Sequence, residues 1–189
     1  MDDIIIVSGL PRSGTSMMMR ILVAGGVPVV TDNIRKADID NPKGYYELEQ
    51  VKTIKQNSSW IKDTRGQAFK MVSMLLYYLP PEEHYKIVFM RRAMEEILAS
   101  ERKMLARRAK DFDPERENEV NKLFTRHLQD IGKWLDMQNN IEVLYVNYNM
   151  VLKNKENELE KLLHFLDRQL NLNKMLEVID LSLYRQRYV

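Results

Sequence analysis

Residues 4–22 read I-I-I-V-S-G-L-P-R-S-G-T-S-M-M-M-R-I-L, and this stretch decides the fold. Ile4 to Val7 form a β-branched run of strand length that ends at Ser8-Gly9. From Thr15 onward the apolar residues recur at helical spacing. A strand, a glycine turn and a helix in this order predict a phosphate-binding loop. The turn points successive backbone N–H groups inward, and the helix N-terminus adds positive potential.

The spacing of this loop nearly matches the G-x-x-x-x-G-K-[ST] pattern of nucleotide triphosphatases. Thr15 stands where that pattern has its lysine, and the positive charge lies instead at Arg12. A guanidinium can bind phosphate or sulfate oxygens with two hydrogen bonds, so the loop keeps a cation in a different place. An ordinary strand-turn-helix without a ligand is the alternative. We expect the loop to bind a cofactor through Pro11, Arg12, Ser13, Gly14, Thr15 and Ser16.

Strand-like and helix-like patterns alternate along the rest of the chain. The predicted strands are 68–72, 86–90 and 141–146. The predicted helices are 51–60, 91–110, 120–135, 156–166 and 172–179, with a charged loop over 111–119. This alternation indicates an α/β fold with three α/β/α layers and a central parallel sheet. Such a fold is similar to that of the P-loop nucleoside triphosphatases. We expect residues 1–189 to form a single domain, with ligands bound beyond the carboxyl ends of the strands.

Composition excludes several classes of protein. Lys and Arg total 29 against 27 Asp and Glu, and this near balance argues against a general nucleic-acid-binding surface. Cysteine is absent, which excludes a disulfide framework, a thiol nucleophile and a cysteine metal site. The run Ile4–Val7 is too short for a membrane span or a signal peptide, so we expect a cytoplasmic protein. No carboxylate cluster indicates a metal site, and the sequence does not determine the oligomeric state.

A second strand-helix junction reads I-V-F-M-R-R-A-M-E-E-I-L-A-S over residues 87–100. Arg92, Glu96 and Ser100 are spaced by four residues, so on a helix they lie on roughly one face. Arg92 and Ser100 can then bind one phosphate together. In the alternative, Arg92 pairs with Glu96 on a solvated face and Ser100 has no role. Arg91 is the candidate cation if the register is displaced by one residue.

Together, the two junctions resemble the sulfotransferases that use 3′-phosphoadenosine 5′-phosphosulfate (PAPS). P-R-S-G-T-S is similar to the 5′-phosphosulfate loop of that family, and the spacing of Arg92, Glu96 and Ser100 is similar to its 3′-phosphate segment. The later stretch around Tyr148 resembles a strand followed by Y-E-D-L, in which the tyrosine lies near the adenine. The resemblance implies PAPS as donor, PAP as product and a small acceptor with a hydroxyl or an amine.

The same family implies where the reaction occurs, and this chain departs from it in two places. Val72 stands where cytosolic members carry a catalytic histidine in K-T-H. The late G-x-x-G-x-W-K segment is missing, and no motif marks Arg185 or Arg187 as its substitute. N-P-K-G-Y-Y-E resembles a stretch of some bacterial sulfotransferase-like proteins. It makes Glu47 the expected general base, packed against tyrosines that would raise its pKa, and Glu49 is the alternative.

Two cations complete the expected catalytic set. Arg12 is expected to stabilise charge on the bridging oxygen, and Lys70 can reach the site from the end of its strand. For the three histidines, His84, His127 and His164, we expect packing or surface roles. The basic residues Arg102, Lys103, Arg107, Arg108 and Lys110 either steer an anionic donor or form a solvated helix face.

Two other functions remain open from sequence. A P-loop nucleotide kinase or triphosphatase would fit the first junction, although Thr15 replaces its lysine and Arg91-Arg92 stand where a strand would end in an acidic residue. A non-catalytic nucleotide-binding protein would explain the missing histidine.

Overall fold

The computed structural model describes residues 3–32, 34–39, 41–107 and 113–184. Its central strand is β1 (Ile4–Gly9), which is buried along its whole length. The remaining strands are β2 (Ala68–Lys70), β3 (Tyr85–Arg91) and β4 (Ile141–Asn147), in the spatial order β2-β1-β3-β4. All three pairings are parallel. A continuous apolar run such as that of β1 suits this position, because a parallel sheet is covered on both faces.

The described residues form six α-helices and several short 3-10 turns. The helices are α1 (Thr15–Gly25), α2 (Met94–Arg107), α3 (Pro114–Asp136), α4 (Tyr148–Lys153), α5 (Lys155–Leu166) and α6 (Leu172–Glu177). The 3-10 turns are Glu49–Thr53, Ile61–Thr64, Ser73–Tyr78 and Leu181–Leu183.

Alternate residues of β1 face two separate cores. Ile5 and Val7 pack with residues of α1, α5 and α6 on one side of the sheet. Ile4 and Ile6 pack on the other side with the 3-10 turns and with α3. Because successive strand residues point to opposite faces, one short strand joins both outer layers to the sheet. The predicted α/β fold, with three layers and a parallel sheet, is confirmed.

Several predicted boundaries were wrong. Helix α2 begins at Met94 rather than at residue 91, because Arg91 still belongs to β3 and pairs with Asn147 of β4. Residues 51–60 do not form one helix, since they contain the end of one 3-10 turn and then irregular turns. The second predicted strand is shorter than expected and ends at Lys70.

The charged segment expected to be a loop contains the first turn of α3. Asp113 is its N-cap, and its side chain accepts hydrogen bonds from the backbone N–H groups of Glu115 and Arg116, while Pro114 occupies the first turn. An Asp-Pro pair is a favourable helix start, and that signal outweighs the high charge of the segment. Within the described ranges, no helix combines the length and the apolarity needed to cross a bilayer.

Candidate active site

The loop that joins β1 to α1 has the tight backbone that its glycines predict. Gly9 and Gly14 have φ values of 143° and 101°. A Cβ on Gly9 would lie 2.6 Å from the carbonyl oxygen of Met90, and one on Gly14 would lie 2.4 Å from the Tyr148 ring. Both positions therefore require glycine. Arg12 also has a positive φ, 68°, which is strained for a residue with a side chain and recurs at functional sites.

A cavity of about 520 Å³ opens beside this loop, at the carboxyl ends of the strands. Its volume lies within the usual range for small-molecule sites. It is lined by nearly every site residue predicted from sequence: Pro11, Arg12, Gly14, Thr15, Ser16, Glu47, Lys70, Arg92, Ser100 and Tyr148.

Ser13 is the exception among the predicted site residues. It is buried and does not line the cavity. Its hydroxyl donates to the carbonyl oxygen of Leu10 at 2.7 Å, and its backbone N–H donates to the same oxygen at 3.2 Å. Ser13 thus holds the loop closed from within.

The two strand-helix junctions meet at Arg12. Its Nε donates to the hydroxyl of Ser100, the seventh residue of α2, at 2.9 Å. Nη1 of Arg92 donates to the backbone carbonyl oxygen of Arg12 at 3.1 Å. The cations of both junctions therefore line the same cavity, next to a serine hydroxyl.

Arg92 is held in place by a buried ion pair. Its Nε donates to Glu96 at 2.7 Å, and the side chains are 8% and 2% exposed. The other carboxylate oxygen accepts from Tyr184 at 2.6 Å and from Asn149 at 2.8 Å. Burial opposes ionisation of Glu96, but the hydrogen bonds from these three residues outweigh it and lower its pKa. The Arg92–Glu96 pair is thus buried rather than on a solvated face.

Tyr148 lies between the loop and Arg92. The Arg92 guanidinium carbon stands 4.3 Å from the centre of its ring, a cation–π distance. Tyr184 packs edge-on against the same ring at 5.8 Å. Burial raises the pKa of the Tyr148 hydroxyl. The tyrosine is held at the edge of the cavity as the first residue of α4, a helix that the sequence did not predict.

Lys70 occupies the other end of the loop. Its Nζ donates to the hydroxyl of Ser16 at 3.4 Å and to the backbone carbonyl oxygen of Tyr45, and it lies 3.6 Å from a Glu47 carboxylate oxygen. Burial lowers the pKa of Lys70 to about 8, against the opposing attraction of Glu47. A lysine on the last residue of β2 therefore reaches the start of α1.

The surroundings of Glu47 differ from those expected. Its carboxylate accepts from Arg35 at 2.8 Å, in addition to its approach to Lys70. The Arg35 guanidinium stacks on the Tyr45 ring at 3.4 Å. Burial, together with a hydrogen bond to Asp38, raises the pKa of Tyr45 to about 12. Two cations, Arg35 and Lys70, therefore lie next to the Glu47 carboxylate. The sequence predicted instead that Tyr45 and Tyr46 would pack against it. Arg35, in an irregular segment, carried no sequence signal.

Arg20 lines the cavity and was missed by the sequence reasoning. Its buried Nε has no hydrogen-bond partner among the residues that the structure describes. Burial lowers its pKa, which is opposed by the nearby Tyr46, Asp180 and Tyr148. Arg20 follows Ser16 by four residues on α1, so helical spacing alone would have placed both on one face.

The remaining candidates are divided between the cavity, which Lys103 and Arg107 also line, and other parts of the molecule. Val72 does line the cavity in place of a histidine, whereas none of the three histidines does. His127 shares a 2.8 Å hydrogen bond with Ser73, and burial lowers its pKa. Glu49 pairs with Lys52 at the surface. Arg108, Lys110, Arg185 and Arg187 lie outside the described residues.

Comparison with known proteins gives the family. The sulfotransferase domain family matches residues 2–187. A sulfotransferase domain from the curacin biosynthetic pathway aligns over 95% of this chain and 78% of its own, with a TM-score of 0.55 and 16% identity. A sulfotransferase from Alicyclobacillus acidocaldarius aligns over 88% and 81%, with a TM-score of 0.51 and 14% identity. No curated protein matches by sequence.

The two solved structures share the fold of this chain at low identity, and the family match extends over nearly the whole sequence. The chain therefore belongs to the sulfotransferase domain family and is an enzyme of that family.

Proposed function

We propose that the chain transfers a sulfuryl group from PAPS to a hydroxyl or amine of a small acceptor and releases PAP. The observation that carries this proposal is the meeting of Arg12, Arg92 and Ser100 in a cavity that Ser16 and Lys70 also line. A donor with phosphate groups at two positions needs anion-binding groups at both.

The group formed by Arg12, Arg92 and Ser100 suits the 3′-phosphate. The sequence assigned Arg12 to the bridging oxygen, but its Nε contacts Ser100, so we assign it here to the 3′-phosphate together with Arg92 and Ser100. Charge-assisted hydrogen bonds to phosphate are among the strongest in proteins. Tyr148, beside Arg92 and Gly14, offers an aromatic edge for the adenine. The buried pair with Glu96 fixes the position of Arg92, because a guanidinium held by a carboxylate loses little freedom when it binds a ligand.

The N-terminus of α1 and Lys70 suit the phosphosulfate. Gly14, Thr15 and Ser16 present the N-terminus of α1, whose potential favours anions. Lys70 adds a charge close to Ser16. During transfer, the bond from sulfur to the bridging phosphate oxygen breaks and a bond from sulfur to the acceptor atom forms. Lys70 and the α1 N-terminus stabilise the charge that develops on the bridging oxygen.

The acceptor atom must lose a proton in this reaction. Glu47 is our candidate base, because its carboxylate lines the cavity and lies 3.6 Å from Nζ of Lys70. The contact with Lys70 brings the base and the group that stabilises the leaving phosphate together.

Thermal unfolding with PAP, with ATP and Mg²⁺, and with neither tests the donor assignment. A ligand that binds the folded state raises the apparent stability by mass action. We expect PAP to raise the midpoint and ATP with Mg²⁺ to have little effect. A shift with ATP and Mg²⁺ and none with PAP would indicate a kinase or triphosphatase. Labelled PAPS and a panel of hydroxyl and amine acceptors then test transfer, and PAP binding without transfer would favour a non-catalytic nucleotide-binding protein.

A further inference from the structure

Arg20 is a cavity-lining cation to which the proposed reaction gives no role. It lies on α1, about one turn after Ser16, and its buried Nε has no hydrogen-bond partner among the described residues. Burial lowers the pKa of its guanidinium, because a charge removed from water loses hydration. Buried donors without partners are rare in folded proteins, and one that belongs to the lining of a cavity is explained by a ligand that bonds to it.

Arg20 belongs to the part of the cavity that contains Tyr148. The ionisable groups whose fields act on its guanidinium are those of Tyr46, Asp180 and Tyr148. A different set of groups acts on Lys70, which the proposed function places beside the phosphosulfate. Because the same function places the adenine against Tyr148, the base is the part of the donor that Arg20 would meet.

Asp180 supplies an acceptor in the same part of the cavity. Its Oδ1 accepts from the backbone N–H and from the hydroxyl of Ser182, at 3.0 and 2.6 Å, and Oδ2 takes part in neither bond. These hydrogen bonds, with the fields of Lys43 and Arg20, lower the pKa of Asp180, so the carboxylate is charged at neutral pH. The attraction between Asp180 and Arg20 leaves Nε of the arginine without a hydrogen bond. A cationic donor and an anionic acceptor therefore line the cavity near Tyr148.

We propose that Arg20 and Asp180 select the base of the donor by binding the N6–N7 edge of adenine, an assignment that rests on the proposed function. Arg20 donates to N7, and Oδ2 of Asp180 accepts from the N6 amino group. Adenine presents an acceptor beside a donor on this edge, whereas guanine presents two acceptors, N7 and O6. A guanine in the same place would direct O6 at the Asp180 carboxylate and lose one of the two hydrogen bonds.

Calorimetric titration of three ligands tests the assignment: PAP, guanosine 3′,5′-bisphosphate and ribose 3,5-bisphosphate, which has no base. The wild-type protein is compared with R20M, D180N and R126M, the last of which removes a cation from an exposed site on α3. We expect the wild-type protein to bind PAP at least about tenfold more tightly than the guanosine compound.

R20M should weaken PAP binding by about tenfold or more, because it removes a charge-assisted hydrogen bond, and should leave ribose 3,5-bisphosphate binding unchanged. D180N keeps an oxygen for Ser182 but places an amide donor where Oδ2 was, so it should reduce the preference for PAP over the guanosine compound by about tenfold. R126M should bind all three ligands as the wild-type protein does. Binding of ribose 3,5-bisphosphate also reports that each variant is folded.

Equal weakening of PAP and ribose 3,5-bisphosphate in R20M would mean that Arg20 binds the sugar or a phosphate, and the inference would be wrong. Unchanged PAP binding in R20M, an unchanged preference in D180N, or equal affinities of the wild-type protein for PAP and the guanosine compound would also overturn it. These outcomes leave the proposed function intact, because PAP still binds. Failure of PAP to bind the wild-type protein would contradict the proposed function, and the base assignment with it.

Discussion

Arg12 and Ser100 are 88 positions apart in sequence, yet Nε of the arginine donates to the serine hydroxyl at 2.9 Å. The contact joins the loop after β1 to the helix after β3, two neighbouring strands of the sheet. Parallel pairing places both strand ends at one edge, so each junction contributes to the same cavity. The two anion-binding segments thus form one continuous surface.

The buried ion pair of Arg92 and Glu96 should be important for stability. Arg92→Leu leaves the carboxylate of Glu96 without its charged partner, and we expect the free energy of unfolding to fall by about 3–5 kcal/mol. Tyr184→Phe removes one donor from the same carboxylate and should cost about 1.5–3 kcal/mol, as is usual for a hydrogen bond to a charged group. Urea denaturation measures both. A smaller loss for Arg92→Leu than for Tyr184→Phe would contradict this account of the network.

The titration of Lys70 should limit activity at high pH. Burial lowers its pKa to about 8, so the ammonium that contacts Ser16 is lost as the pH rises through that value. We expect the rate of sulfuryl transfer to fall above pH 8 in the wild-type enzyme. Lys70→Arg retains a cation at all these pH values and should remove the fall, whatever its effect on the maximal rate. An unchanged pH profile in this variant would show that another group titrates.

The same shift affects stability with a definite sign. In the unfolded chain a lysine has a pKa of about 10.4, above that of folded Lys70. Between pH 8 and about 10.4 the unfolded chain therefore binds more protons, and the contribution of Lys70 to the free energy of unfolding increases with pH. Below pH 8 this contribution is constant and unfavourable.

Glu47→Gln separates proton transfer from donor binding. The amide keeps the size of the side chain but cannot accept the acceptor's proton, and general base catalysis typically contributes about 10²–10⁴-fold. We expect kcat to fall by that order while the PAP-induced thermal shift is retained. Glu49→Gln is the matched control, because Glu49 pairs with Lys52 at the surface. A large loss of turnover in Glu49→Gln and none in Glu47→Gln would assign the base to Glu49.

Arg20 should destabilise the unliganded protein. Within the described part of the chain its buried Nε has no hydrogen-bond partner, and an unsatisfied buried donor costs about 1–3 kcal/mol. Arg20→Met retains most of the apolar stem, so we expect the free energy of unfolding to rise by about 1 kcal/mol or more. Arg126→Met, at an exposed site on α3, should change it by less than about 0.5 kcal/mol. A loss of stability in Arg20→Met would show that the guanidinium is satisfied.

Local patterns predicted the two strand-helix junctions because both are continuous in sequence. The β-branched run of β1, the glycines of its loop and the spacing from Arg92 to Ser100 are each visible within about a dozen residues. The glycine positions also follow from close approaches to Met90 and Tyr148, which the sequence does not show.

Contacts made by irregular segments could not be predicted. Arg35 and Tyr184 have no periodic neighbours, yet they bind Glu47 and Glu96. The start of α3 differs, because Asp113 and Pro114 carry a local helix-start signal inside a charged segment whose composition predicts a loop. Tertiary contacts fix the positions of Arg35 and Tyr184, whereas local capping by Asp113 fixes the start of α3.

The central claim is that Arg12, Arg92 and Ser100 bind the 3′-phosphate of a single adenosine bisphosphate. Calorimetric titration of PAP and AMP, which differ by that phosphate, tests it most directly in the wild-type protein and in Ser100→Ala. The account predicts that the wild-type protein binds PAP at least about tenfold more tightly than AMP, and that Ser100→Ala reduces this ratio by removing a hydrogen bond to a charged group. Equal affinities for PAP and AMP in the wild-type protein would contradict it.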